Sequence, residues 1–538
     1  MGGDDELVAD VVVVGFGAAG ACAAIEAARA GADVIVLDRF GGGGSSALSG
    51  GVVYAGGGTS VQRAAGVTDT PEAMFEYLRR EVGDVVSAAT LRRFCDGSVD
   101  MVAWLADLGV PFEASLCPYK TSYPSNRHYL YYSGSEAAGG FRDAAPPAPR
   151  GHRARGRGIS GGVLFAQLAR GARAAGVRVL TQTSAAELVT GPDGRVVGVD
   201  CRRLTGRPAA AHRWLSKYAA KPGIYYPPLR RALHPRAEAL ERRHARPLRI
   251  HARHGVVLAA GGFIENRALL RQHAPAFRGG LALGTPGDDG SGIRLGTAAG
   301  AATAELGSVS VWRFISPPSA FLGSVLVDAA GRRVCDESRY GAALGDALIA
   351  RHGGRGWLLV DAGLIRDARR QLRSQTVWFQ RMQTEYLLRS RRVDGATLDE
   401  VAGKAGVDAA GLRATVAAHN DAAAAGLADP AGKPAEFVRP LVQPPYALLD
   451  ISIGPSMYYP CPMLTLGGLV VDEDTGAVLR QGGEPVHGLF AAGRSAVGIC
   501  SRSYVSGLSL ADCIFSGRRA GRSATDAATG LDTNENVF

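Results

Sequence analysis

The run Asp10-Val11-Val12-Val13-Val14-Gly15-Phe16-Gly17-Ala18-Ala19-Gly20 restricts this chain more than any other stretch. An apolar β-run enters a glycine turn and leaves through an alanine-rich helix. The next strand, Asp33-Val34-Ile35-Val36-Leu37, ends at Asp38. Strand, GxGxxG, helix and a following acid make the dinucleotide-binding fingerprint of a parallel α/β sheet. Gly15 permits the tight turn, Gly17 lets backbone approach a pyrophosphate, and Gly20 lets helix and strand pack closely. The helix N-terminus offers N–H groups and partial positive charge to phosphates. Asp38 is placed to accept hydrogen bonds from a ribose.

The fingerprint serves NAD and FAD alike. Gly41-Gly42-Gly43-Gly44-Ser45-Ser46-Ala47-Leu48-Ser49-Gly50-Gly51 follows directly, and its hydroxyls and bare N–H groups suit a pyrophosphate or a flavin ring edge. A flexible linker is the competing reading. The apolar Leu48, Val52 and Val53 within and beside the run speak against it. A length of 538 residues predicts two domains. No apolar run is long enough to span a bilayer, and the opening Met1-Gly2-Gly3-Asp4-Asp5-Glu6 is acidic, so the expected compartment is the cytoplasm. The eight cysteines form no CxxC pair and no His/Cys cluster, which predicts reduced thiols and neither structural zinc nor an iron–sulfur cluster.

Further along, Thr70-Pro71-Glu72 starts a helix. Tyr119, Tyr123, Tyr129, Tyr131 and Tyr132 crowd one loop, a pattern that serves packing more often than ligand lining but can do either. Ala186-Glu187-Leu188-Val189 and Val196-Val197-Gly198-Val199 pair as a hairpin across Pro192-Asp193-Gly194. A basic insertion follows, about 202–254. It reads first as a solvated excursion and second as a surface for anionic lipid, a peripheral membrane contact. Nucleic acid is not expected, because no recognition helix or stacking motif accompanies the charge. Residues 307–450 change texture, with more charge and aromatics and no nucleotide glycines, and read as a second domain. The first texture returns at Gly467-Gly468-Leu469-Val470-Val471, then Gly488-Leu489-Phe490-Ala491-Ala492-Gly493, then a final helix from Tyr504-Val505-Ser506-Gly507.

Taken in order, the fingerprint, the Ser46/Gly50/Gly51 loop, the 257–263 strand and glycine turn, and the 488–493 strand with its closing helix resemble the FAD-binding flavoprotein family of fumarate reductase, succinate dehydrogenase and the 3-ketosteroid dehydrogenases. The resemblance implies an α/β fold. Its Rossmann-like FAD-binding domain has a mixed parallel sheet and is built from 1–306 and 451–538, with an inserted α+β catalytic domain at 307–450 and the flavin at their interface. The implied cofactor contacts are Gly15, Gly17, Ala18, Ala19 and Gly20, Asp38 and Arg39, and Ser45, Ser46, Ser49, Gly50 and Gly51. Ala260, Gly261, Gly493, Arg494, Gly507, Leu508, Ser509 and Leu510 complete the set. No histidine lies in the flavin loop, so the FAD is expected to be non-covalent.

Within that family a dicarboxylate needs paired cations. Leu464 stands where the fumarate reductases carry a histidine, and Tyr504 where they carry an arginine, while Arg339 stays ambiguous as a counterpart of their proton-donor arginine. The pattern is similar instead to the 3-ketosteroid Δ4-(5α)-dehydrogenases, which implies catalytic roles for Tyr504, Ser506 and Tyr340. The implied reaction removes a proton from C4 to a Ser506–Tyr504 relay and a hydride from C5 to the flavin, in steroid catabolism, with an unspecified electron acceptor. Δ1-dehydrogenation, a flavin reductase or dehydrogenase for another apolar enone, and a non-enzymatic flavoprotein remain alternatives.

Overall fold

The computed structural model describes residues 6–277 and 279–529. Its largest sheet begins with β1 (Glu6–Val14), in which Val11, Val12, Val13 and Val14 are buried because helices cover both faces, while Val8 is exposed. The helix α1 (Ala18–Arg29) follows, then β2 (Val34–Asp38), β3 (Arg178–Thr181), and the hairpin strands β4 (Thr183–Thr190) and β5 (Val196–Arg203). The helices α2 (Gly206–Ala220) and α3 (Pro227–His244) separate β5 from β6 (Arg246–Leu258). The order β3-β2-β1-β6 is parallel throughout.

β6 is the long member, and two partners share one of its edges. Its first half pairs antiparallel with β5, from Arg246 opposite Arg203 to His251 opposite Gly198. Its last residues, Val256 to Leu258, pair with the late strand 485–491. This corrects the expected insertion of 202–254. Arg202 and Arg203 finish β5 and Arg246 to His254 open β6, so the excursion proper is α2 and α3 alone. The cations misled because they alternate with buried residues: Arg249 and Arg253 are exposed, whereas Leu248, Ile250 and Ala252 are buried. Period two is the mark of a half-buried strand.

A second sheet holds β7 (Val325–Val327), β8 (Trp357–Asp361), β9 (Arg392–Gly395) and β10 (Tyr446–Asp450), all antiparallel in the order β7-β8-β10-β9. Its core is separate and runs from Ile315 to Tyr459, through Leu326, Leu344, Leu358 and Leu448. Short polar caps start three of its helices: Asp361 accepts from the Leu364 N–H at 2.9 Å, and Thr397 and Asp408 do the same for Leu398–Ala405 and Ala409–Ala425. Deep beside this core lies an ion cluster. Glu337 contacts Arg333 at 2.6 Å and Lys433 at 2.8 Å, and Asp429 contacts Arg333 at 2.6 Å.

The chain then returns to the first sheet through β11 (Ala477–Leu479) and β12 (Pro485–Ala491), β12 parallel to β6 and β11 antiparallel at the edge. The last helix, α4 (Leu508–Thr529), packs along α1. The alanines of α1 and the glycines of α4 allow that closeness.

Candidate active site

One cavity of about 2370 Å³ runs from the Gly15 turn to Tyr504, between the two sheets. At the Gly15 end the backbone has φ +104°, a left-handed value that glycine adopts freely, and a Cβ there would lie 2.5 Å from the Ala259 carbonyl. A Cβ on Gly20 would lie 1.9 Å from the Gly15 carbonyl, so helix and turn touch as the fingerprint requires. The Ala18 N–H at the start of α1 donates to Ser46 Oγ at 3.0 Å, which ties the second glycine loop to the first.

Asp38, the residue expected to meet a ribose, lines the cavity at the end of β2. Its carboxylate accepts the backbone N–H groups of Phe16 at 3.0 Å, Phe40 at 2.8 Å and Gly42 at 3.1 Å. Burial raises its pKa, and these three N–H groups oppose the rise. A carboxylate offers about four acceptor sites, so these three leave room for a further donor from the cavity. Asp38 also shapes the loop.

Ser45 Oγ donates to Asp288 at 2.6 Å, and Arg494 meets the same carboxylate at 2.6 Å. The other terminal nitrogen of Arg494, Nη1, is buried without a partner. Ala18, Ala19, Arg39, Ser46, Ser49, Gly50, Ala260, Gly261, Gly507, Ser509 and Leu510 also line the cavity. Gly20, Gly51, Gly493 and Leu508 do not. They pack behind it: a Cβ on Gly51 would lie 2.5 Å from Ser160, and one on Gly493 would lie 2.9 Å from the Ala19 Cβ. A glycine turn, a helix N-terminus and an unpartnered buried guanidinium nitrogen together fit an anionic dinucleotide such as FAD.

At the far end Tyr340, Tyr504 and Ser506 meet. Tyr340 precedes the helix Gly341–His352 and is fixed by its N–H donating to Ser135 Oγ at 3.1 Å. Its ring centroid lies 6.2 Å from that of Tyr504 and 5.6 Å from Phe314. Trp312 stacks on Tyr504 at 4.9 Å. Ser506 is buried, and its N–H donates to the Ser133 carbonyl at 3.2 Å.

The Ser506 side chain has a third tyrosine as its partner. The Ser506 hydroxyl hydrogen-bonds Tyr131 Oη at 2.9 Å rather than Tyr504. Tyr131 lies on the strand Leu130–Tyr131, paired with Gly151–Arg153, and is fully buried. The tyrosine-rich loop was visible in the sequence, but nothing there singled out Tyr131. Trp312 and Phe314 were not singled out as site residues either. Burial pushes the pKa values of Tyr340, Tyr504 and Tyr131 up, and contact with Ser506 partly offsets this for Tyr340 and Tyr131. All three therefore stay neutral phenols near neutral pH, suited to donate hydrogen bonds.

Arg339 resolves to one side. Its guanidinium lies over the Phe141 ring at 5.5 Å and does not line the cavity, whereas Leu464 does. Among the described residues no cluster of His, Cys, Asp or Glu could hold a metal ion, and no helix is long and apolar enough to cross a membrane.

The model of the FAD binding domain family matches residues 10–507. The chain is 40% identical to the 3-oxo-5-alpha-steroid 4-dehydrogenase of Comamonas testosteroni, over 92% of this chain and 94% of that one. It is 28% identical to a 3-oxosteroid 1-dehydrogenase of Mycobacterium tuberculosis, over 92% and 94% respectively. The crystal structure of 3-ketosteroid-delta4-(5alpha)-dehydrogenase from Rhodococcus jostii, in complex with 4-androstene-3,17-dione, superposes with a TM-score of 0.81 at 33% identity, covering 96% of this chain and 97% of that one. With the fingerprint, the cavity and these likenesses in place, the chain belongs to the FAD-binding flavoprotein family and is an FAD-dependent oxidoreductase.

Proposed function

We propose that the protein dehydrogenates a 3-ketosteroid between C4 and C5, with FAD held non-covalently. The observation that carries this is the meeting of Tyr340, Tyr504 and Ser506 at the apolar end of the cavity, under Trp312 and Phe314. Support also comes from the relatives, one of which is named for this reaction on 5-alpha steroids.

The 3-ketone acidifies the C4 proton, and the enolate oxygen that develops needs donors. The neutral phenol of Tyr340, with backbone N–H groups near Gly507, supplies them. The C4 proton passes to the Ser506 hydroxyl as the serine releases its own proton toward the Tyr504 phenol, whose proton in turn leaves through the cavity. Tyr131 holds Ser506 from behind and is a positioning residue. Bound FAD supplies the acceptor for the hydride that leaves C5. The start of α4, with Ser509 and Leu510 on the cavity wall, sets partial positive charge where reduction adds negative charge. Tyr340, at the start of the helix Gly341–His352 within 307–450, meets Tyr504 just before α4, which supports a catalytic domain meeting a nucleotide domain.

The cavity rim includes the exposed Tyr225, Trp378, Met382, Met457 and Tyr458. These support a peripheral contact with the membrane in which an apolar substrate dissolves. The free cysteines suit the cytoplasm.

Anaerobic flavin bleaching tests the proposal. A 5α-reduced 3-ketosteroid should bleach the oxidised flavin band, and a 4-ene-3-ketosteroid should not. Bleaching by the 4-ene compound would instead assign Δ1 chemistry, and bleaching by neither would remove the steroid.

A further inference from the structure

The excursion formed by α2 and α3 is tied to the dinucleotide end of the cavity. His212 of α2 is fully buried, stacked on Phe40 at 5.6 Å with 5° between the rings. Its Nδ1 meets Gln182 Oε1, and its Nε2 lies 3.0 Å from Glu241 of α3. Glu241 accepts two hydrogen bonds from Arg39, at 2.9 and 2.8 Å, and Arg39 also reaches Asp289 at 3.0 Å. At the other end of the excursion, Arg230 pairs with Glu265 and donates to the Gly284 carbonyl at 2.9 Å. These pins land on the loop after β2, the loop after β6 and the 284–289 loop, all of which wall the cavity.

Three cations of the excursion, Arg213, Lys217 and Arg231, line the same cavity, and their side chains have no acidic partner among the described residues. The end of β2 is the ribose end of a dinucleotide fold. Asp38 lines the cavity there, and its neighbour Arg39 is bonded to Glu241, so the excursion stands beside that end.

We propose that α2 and α3 form a latch over the adenosine half of the bound FAD. Arg213, Lys217 and Arg231 add positive charge to the cavity wall on that side, facing an anionic cofactor, and Arg39–Glu241–His212 is the catch that must open before the cofactor leaves. The inference is independent of the steroid proposal and rests on the non-covalent FAD proposed with it.

Two measurements on the full chain test the latch. FAD release is followed by flavin fluorescence after dilution, for the unaltered protein and for Glu241→Ala. Release from the variant should be about tenfold faster, the effect of losing a charge-assisted contact. Trypsin cutting at Arg213, Lys217 and Arg231 is then timed in FAD-loaded and FAD-stripped unaltered protein, against cutting at Arg413 outside the nucleotide half. FAD should slow cutting of the excursion relative to Arg413. Equal release rates, or equal relative cutting, overturn the latch. The second measurement needs no variant, so a Glu241→Ala chain that fails to fold does not rescue it. Flavin that stays with acid-precipitated protein would be covalent, and would remove both the premise and the latch.

Discussion

Tyr131 Oη lies 2.9 Å from Ser506 Oγ, although 375 positions separate the two residues in the chain. The pair joins a short strand beside the flavin loop to the turn that opens α4. Removing the serine hydroxyl should cost about 10²–10⁴ in turnover, the usual worth of a positioned proton-transfer group. Tyr131→Phe leaves Ser506 in place without its partner, and should cost about tenfold, the scale of one hydrogen bond. Stopped-flow flavin reduction checks both. A Tyr131→Phe enzyme with an unchanged rate and an unchanged pH profile would remove the positioning role.

Arg494 carries a buried, unpartnered Nη1 at the cavity wall while its Nη2 is held by Asp288 at 2.6 Å. Losing one hydrogen bond to a charged group is worth about 1.5–3 kcal/mol. Arg494→Ala should therefore raise the Kd for FAD by about 10–100-fold. Fluorescence titration of the apoprotein reads this directly. Arg494→Lys should recover only part of the loss, because lysine cannot grip Asp288 and the cofactor with a rigid fork.

The Glu337 cluster is a stability element. Glu337 and Lys433 are both fully buried and 2.8 Å apart, and Lys433 also donates to the Ser324 carbonyl at 2.5 Å. Burial raises the carboxyl pKa of Glu337, but Arg333 and Lys433 outweigh it and hold the group below its ordinary value. Lys433→Met leaves Glu337 short of one partner in a dry site and should destabilise by about 3–5 kcal/mol. Urea unfolding followed by circular dichroism gives the shift. An unmoved midpoint would mean that Arg333 alone satisfies the cluster.

Asp346 predicts the opposite pH behaviour from a paired carboxylate. Burial lifts its pKa from 3.8 to about 7, with only partial relief from Arg339. The native state then keeps a proton that the unfolded chain gives up, so stability falls as pH rises between those two values and levels off above the upper one. Asp346→Asn should raise the melting temperature at pH 8 and leave it unchanged at pH 3.5. Equal gains at both pH values would assign the effect to packing.

What the sequence revealed follows from the range of each signal. The Gly15 turn, the β4–β5 hairpin and the Thr70 cap are local patterns, each decided by residues within a few positions, and the structure contains all of them. Tyr504, Ser506 and Tyr340 came from family likeness, and they do converge. Tyr131 could not be read, because its partner is set by how a strand near residue 130 lies against the turn before α4. Asp38 was placed correctly on β2, but its three backbone donors arise from a loop geometry that no spacing encodes. The start of β6 was missed because alternating arginines looked like a charged run, although their period was that of a strand.

Arg203 and Arg246 face each other across the β5–β6 ladder. The two ends of the excursion are therefore already held one strand spacing apart, by hydrogen bonds that the sheet makes without its help. Chain can be lengthened, trimmed or exchanged at this point with little disturbance to the register on either side. A tight two-residue turn could replace α2 and α3 and leave β6 paired with β1 and β12. The junction is a natural graft site, where a module can be traded while the sheet that carries the chemistry stays as it is.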